Sequence, residues 1–541
     1  MAERLERLVL QAGVMAVMLA VLSFKVFELD RYFVPKELVL HAAAFLVAAS
    51  LVIRRRALTV DITDALLALF VIWTAASALF ATNHWLAQRA LALSVSSAVI
   101  FWGARRAGAA GAAGAAGSQR ALLVAASLAT VVVAITSLAQ AYGFETEYFT
   151  LARAPGGTLG NRNFIAHIVA IGLPVTVWCA VTAKRALEAL VWSLAGAVLS
   201  ATLVLSRSRA AWLAVAACIA VLVIPLVVSR KYWEKQRVGG RLARFLLTAV
   251  IGGALAVVLP NDLNWTSDSP YLDSARKVVD YGSGSGRGRV AQYRNSLRMA
   301  ADNPVFGVGP GNWPVRYVRF APGGDRSLAD NGMTANPWPS SDWVAFISER
   351  GIVAVLALGG VFATLFVGAL RRWRDLPDAN AVLMKLALAG TIVTTVVVSA
   401  FDAVLLLAAP AFLAWLILGA AAAAGARARA GARARGRTLE ASRSVWLLVA
   451  AGAILVTVGS VARSTTQAIA MSTVGTGGRT ARWVAGAMWD PGSYRINQRV
   501  ADIYANRGQC GRARPFARRA AALFPSSSAA RRVMRRCGIK S

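Results

Sequence analysis

Four short stretches of the chain hold the side chains able to do chemistry. LVLSRSRAAWLAV, residues 203–215, sets Arg207 and Arg209 between apolar runs at 187–206 and 210–228. A guanidinium held at a short hairpin is a fixed cation whose planar fork matches phosphate oxygens two at a time. The plainer reading is snorkelling, in which an arginine at a helix end reaches lipid headgroups. GTLGNRNFIAHIVAIGLPV places Asn161, Arg162 and Asn163 at the start of another apolar run, with His167 a turn further in. Asparagine also caps helices well, so each of these side chains taken alone has a structural reading.

The third stretch, SGSGRGRVAQYRNSLRMAADNPVFGVGPGNW, predicts a Gly/Ser turn and then an amphipathic helix over 289–301 with Val290, Tyr293, Leu297 and Ala300 on one face. Arg289 stands at the helix start, where the dipole disfavours a cation, and a nearby anion would resolve that conflict. The fourth, PSSDWVAFISERGIVAVL, has Ser340, Ser341 and Asp342 capping a span, with Glu349 seven residues on and so on the same face. Asp342, at the water boundary, is the candidate proton acceptor. Glu349 either meets substrate or pairs with a cation such as Arg350 or Lys385. No Asp-x-Asp pair and no histidine cluster has metal-ligand spacing, so neither a metal nor any other cofactor is expected.

The elements that must position these residues follow from composition. The chain has 541 residues, 57% of them hydrophobic and only 16% charged, with a mean hydropathy of +0.55. That composition predicts an all-α polytopic membrane protein. Apolar runs near 8–28, 38–53, 62–80, 90–103, 121–141, 164–182, 187–206, 210–228, 245–259, 343–370, 380–400, 403–424 and 444–463 give about thirteen spans. The first lacks a small-residue cleavage site and reads as a retained helix. Alternate short loops, from Arg54–Arg56 to the Arg-rich run ending at Arg437, are basic and belong inside. The turns at 81–89 and 401–402, the polar segments 142–163 and 260–342, and the tail then lie outside. Residues 1–463 form the transmembrane part, with 260–342 as its large outward loop, and 464–541 form a separate tail.

In this order the motifs resemble the O-antigen ligase and polymerase superfamily of bacterial membrane glycosyltransferases. GNRN, then SRAAW, then a large loop with an arginine and NPVFGVGPGNW, then SDWVAFISERG all match. The resemblance runs from about residue 25 to 425. It implies an inner-membrane enzyme with a cytoplasmic N-terminus and a periplasmic C-terminus, transferring a polyprenyl-diphosphate-linked glycan to a glycan or lipid A core acceptor. It also implies that Arg209 and Arg289 hold the diphosphate and that Asn161 and Asn163 belong to the substrate site. The family's usual His-Asn-Asp reads Ser340, Ser341, Asp342 here, so the histidine thought to activate the acceptor is missing. Ligase, polymerase and protein glycosylation remain open as acceptor choices. A transporter with charges along its pathway is the alternative of another class, but the polar groups gather at span ends rather than at mid-membrane.

The tail, DPGSYRINQRVADIYANRGQCGRARPFARRAAALF and onward, resembles a tetratricopeptide unit with arginine-dominated faces. Such a cationic unit suits acidic lipid, acidic glycan or a protein partner, and nucleic acid is not expected outside the membrane. The overall charge of +33 is divided between this tail and the inward loops. Cys510 and Cys537 are placed for a disulfide if the tail is in an oxidising compartment. The loop charges generate a direct test of topology. An alkaline phosphatase fusion after residue 480 is expected to be active, and an inactive fusion there would reverse the assigned sidedness.

Overall fold

The computed structural model describes residues 2–54, 59–109, 115–234, 236–276, 284–371, 373, 376, 378–432, 439–440, 443–475 and 478–539. The helices are α1 (Ala2–Leu19), α2 (Asp30–Arg54), α3 (Ile62–Ala78), α4 (His84–Ala109), α5 (Ala115–Ala141), α6 (Arg162–Val181), α7 (Ala186–Ser206), α8 (Arg209–Ser229) and α9 (Val238–Val258). Three helices of the large loop follow, α10 (Pro270–Arg276), α11 (Gly284–Asp302) and α12 (Trp313–Arg316). Then come α13 (Asp342–Leu370), α14 (Ala379–Phe401), α15 (Ala408–Ala432) and α16 (Arg443–Gly475). The tail has α17 (Thr480–Trp489), α18 (Tyr494–Asn506), α19 (Cys510–Leu523) and α20 (Ser528–Arg536). Among the described residues the one strand ladder is a two-residue pairing of Thr59–Val60 with Leu439–Glu440.

Each apolar run of the sequence has its helix, and the chain is an α-helical polytopic membrane protein. Ten helices are long and apolar enough to cross a membrane, and Ile62–Ala78 and Ala408–Ala423 are shorter apolar helices. The first run ends early: α1 stops at Leu19, and the Lys36 ammonium, from α2, caps the carbonyl of Ala20. Parts of the GAAGAAG and Ala/Gly/Arg low-complexity loops lie outside the described residues.

Helix α6 is buried on nearly every side and packs against α5, α7 and α14. Helices α8, α9 and α16 instead expose Ile224, Val258 and Leu448, the apolar surface that lipid requires. Helices α4 and α15 approach closely, because a Cβ on Gly419 would stand 2.3 Å from the carbonyl of Phe101. At the end of the bundle away from the large loop, Arg105 pairs with Asp61 at 2.6 Å and Asp64 at 2.7 Å.

The large loop splits the expected apolar face of α11, with Ala300 buried and Tyr293 half-buried. Val290 and Leu297 are about half exposed, whereas Gln292, Asn295, Ser296 and Met299 face inward. The inward face is polar because it organises the loop through hydrogen bonds. Gln292 Oε1 accepts from the Ser340 amide at 2.7 Å, and Ser296 Oγ accepts from Trp313 Nε1 at 2.8 Å. Asn295 Nδ2 donates to Asp325 at 3.1 Å, and the Tyr317 hydroxyl donates to the same carboxylate at 2.7 Å. Burial pushes the Tyr317 hydroxyl up to about 12. Burial would also raise Asp325, but the Ser327 amide and the Tyr317 hydroxyl outweigh it and hold the carboxyl below its ordinary value.

In the tail, α18 and α19 form a helical hairpin on which α20 packs, with Ala501, Ala513, Ala517 and Val533 at the shared core. Cys510 and Cys537 are disulfide-bonded. The tail docks on the same face of the bundle as the large loop. Asn83 Nδ2 donates to the Leu523 carbonyl at 3.0 Å, and the Ser528 amide donates to the Asn331 carbonyl at 2.8 Å.

Candidate active site at the loop face

At this face the start of α6, the start of α11, the segment before α13 and the end of α14 enclose a cavity of about 260 Å³. Asn161, Asn163, Arg289, Trp338, Ser340 and Asp402 line it. Asn161 is the N-cap of α6 and accepts from the Asn163 amide at 3.0 Å, which fixes the helix start. Arg289 is brought over this start by α11, which Tyr293 ties down by donating to the Ser340 carbonyl and, at 3.1 Å, to the Ala400 carbonyl. His167, one turn below Asn163, is buried with neither ring nitrogen hydrogen-bonded.

The other arginines gather beside the cavity. Arg207 ends α7 with φ of 52°, the one non-glycine residue at positive φ among the described residues. That left-handed turn lets the chain reverse directly into α8. Arg207 donates from Nε to Ser274 Oγ at 2.8 Å and lies 4.5 Å from the Trp265 ring centroid. Arg162 lies 4.9 Å from the same ring, so two guanidinium groups share one indole. Burial lowers the Arg207 pKa, against the opposing influence of Tyr271 and Asp273. Arg209 opens α8, half-buried, and is not among the residues lining the cavity. The structure therefore joins Asn161, Asn163 and Arg289 in one wall and Arg162 and Arg207 in a neighbouring pair.

Asp342 is not at the water boundary where the sequence places it. It is fully buried, and its carboxylate accepts from the amides of Val404 at 3.0 Å and Leu405 at 2.7 Å. It anchors the turn that joins α14 to α15, a long-range role that its serine neighbours did not reveal. Glu349 is also buried, with the Arg350 charge acting on it at a distance. Its two oxygens accept from the amides of Gly311 at 2.8 Å and Trp313 at 3.1 Å, holding the GPGNW turn of the loop. Arg350 stacks on Phe346 and Phe70 at 4.5 and 5.3 Å, and Lys385 donates to the Arg371 carbonyl at 3.0 Å.

Gly351 explains how the loop reaches Glu349. It interrupts α13 at φ of 77° and ψ of −179°, a conformation open to glycine alone. The Ile352 amide then bonds the Pro304 carbonyl at 2.9 Å, and a Cβ on Gly351 would lie 2.0 Å from the Val305 carbonyl oxygen. Sequence reasoning missed Asp402 and Trp265. Asp402 is the single carboxylate of the FDAV turn between two apolar runs, and that isolation was the available signal. Trp265 carries no signal, since an indole in a polar loop has no periodicity. Among the described residues no group of three or more His, Cys, Asp or Glu side chains gathers.

Fold and site thus define a polytopic membrane protein with a polar cavity at one membrane face, whose lining carries Arg153 and Arg289 together with the carboxylates of Glu28 and Asp402. Residues 194–359, under a third of the chain, match the family model described as O-antigen ligase. The matched region contains Arg207, Arg209, Arg289, Asp342 and Glu349, while Asn161 to Asn163 precede it. No curated protein matches the chain. The family match and the apolar helices support a membrane protein of the glycan-transferring ligase or polymerase kind.

The two anchors can be separated from chemistry by stability. Glu349→Ala leaves two buried amides unpaired and is expected to cost about 1–3 kcal/mol for each, read as a lowered melting temperature in detergent. Gly351→Ala should be worse, because it adds backbone strain and a clash. A Gly351→Ala protein as stable as the wild type would contradict the threaded loop.

Proposed function

We propose that this protein transfers a glycan from a polyprenyl diphosphate carrier to an acceptor hydroxyl at the periplasmic face of the inner membrane, in the manner of an O-antigen ligase. The observation that carries the reading is the single cavity holding Arg289, Asn161, Asn163 and Asp402 at the loop face, beside Arg162 and Arg207. A second cavity, of about 380 Å³ and almost wholly apolar, supports a polyprenyl-anchored donor. It lies among α6, α7, α8, α9 and α14, and its wall includes Leu203, one turn before Arg207. An isoprenoid chain in that groove would carry its diphosphate to the arginines at the helix ends.

Outside the cytoplasm there is no nucleotide sugar, and a lipid diphosphate is the natural leaving group. The acceptor oxygen forms the new bond to the anomeric carbon as the bond to the diphosphate oxygen breaks. The electron pair leaves with the diphosphate, whose growing charge Arg289 and the α7–α8 arginines Arg207 and Arg209 neutralise. The acceptor proton needs a base within reach. Asp402 lines the cavity and takes that role in place of the missing family histidine. Asp342 holds the turn that presents Asp402. Asn161 and Asn163 offer amide groups to sugar hydroxyls. A polymerase would run the same step with a growing glycan as acceptor.

Arg289→Ala should abolish surface glycan while the protein still accumulates, since loss of a charge-assisted contact costs about 3–4 kcal/mol of barrier, or roughly a hundredfold to a thousandfold in rate. Arg289→Lys should rescue in part, because it keeps the charge and loses the fork. Asp402→Asn should also abolish transfer, and near-normal glycan in that variant would place the base elsewhere. In a deletion strain, loss of all glycan on the lipid A core indicates a ligase and retention of one repeat unit a polymerase.

A further inference from the structure

A third cavity, of about 550 Å³, lies between α2, α4, α16 and α17, apart from the residues of glycan transfer. One part of its wall is apolar, with Leu91, Leu455 and Val456, and the other carries Glu37, Arg89, Arg463 and Asp490. Arg89 and Glu37 satisfy each other, Arg89 Nε standing 3.0 and 2.8 Å from the two Glu37 oxygens. Arg463 and Asp490 are left differently. Arg463 reaches the Trp85 carbonyl with one nitrogen and lies 5.4 Å from the Trp85 ring centroid, while its buried Nε has no hydrogen-bond partner. Asp490 is 8% exposed, and its carboxylate accepts one long bond, at 3.4 Å from Gln467. Burial raises the Asp490 pKa, with Arg463 opposing it from a distance. The two side chains form no ion pair with each other.

A half-buried cation with a buried, unpaired Nε and a buried anion that face one cavity without meeting are costly unless something joins them. A zwitterion of the right span does so. A purely anionic lipid would satisfy Arg463 but bring its charge towards Asp490 and Glu37. The level also suits a lipid head, because α17 ends the cavity with Met488 and Trp489 exposed at 78% and 49%, as in the aromatic belt of a membrane interface. We propose that this cavity binds one amine-bearing zwitterionic phospholipid, with its phosphate on Arg463, its ammonium on Asp490 and its acyl chains along Leu91, Leu455 and Val456.

The test is native mass spectrometry of the delipidated full-length protein titrated with phosphatidylethanolamine or with phosphatidylglycerol. The expected result is one bound phosphatidylethanolamine, preferred at least tenfold over phosphatidylglycerol. Asp490→Asn should remove most of that preference, and Arg463→Gln should weaken both lipids. Gly459→Phe is the fold-sparing control, since a Cβ at Gly459 meets open space and the ring can occupy the cavity from the α16 side. It should lower phosphatidylethanolamine binding at least tenfold with an unchanged melting temperature. Equal binding of the two lipids by the wild type, or undiminished binding by a folded Gly459→Phe protein, would overturn the proposal.

Discussion

Two buried carboxylates set the geometry on which everything else at the loop face depends. Glu349 receives the amides of Gly311 and Trp313, and Asp342 receives those of Val404 and Leu405. Each binds a segment remote in sequence to the first half of α13, and a charged acceptor makes such bonds stronger than neutral ones. The break at Gly351 gives the loop backbone access to this half-helix. The result is a rigid seat for α11 on one side and for the α14–α15 turn on the other. Arg289 and Asp402, which those two elements carry, are thereby brought to the same cavity.

The arrangement separates holding from reacting. The acidic residues of the first half of α13 are used for anchoring, and the charged and amide groups facing the cavity are Glu28, Arg153, Arg289, the α6 asparagines and Asp402. Arg162 and Arg207 share Trp265, which holds two like charges close together at a helix hairpin. Such a pair is poised to meet a multiply charged anion. The apolar cavity below is of the kind an isoprenoid chain needs, so the proposed function gives head and tail of one amphipathic donor matching environments.

The span pattern was legible in the sequence because hydrophobic runs of that length have few other solutions. Asn161, Asn163 and Arg289 could be singled out one by one, because polar side chains at span ends stand out against an apolar background, but that they line one cavity could not. The roles of Asp342 and Glu349 were not legible. Their partners are backbone amides of Leu405 and Trp313, and a backbone amide has no residue-type signature. Which side of α11 faces inward was not legible for a related reason. Its amphipathic pattern puts Val290 and Leu297 together, yet the loop it packs against is tied by polar contacts of Gln292, Asn295 and Ser296. Arg209, which the resemblance assigns to the diphosphate together with Arg289, opens α8 outside the cavity lining, whereas Asp402 drew no notice in a two-residue turn.

The central claim is that the arginines at this face stabilise a departing lipid diphosphate. It is tested most directly with purified protein, a synthetic polyprenyl-diphosphate glycan and an acceptor, by following release of free polyprenyl diphosphate. One diphosphate is expected to be released for each glycan transferred, with both falling together in Arg289→Ala. An Arg289→Ala protein that releases diphosphate and transfers glycan at the wild-type rate would contradict it.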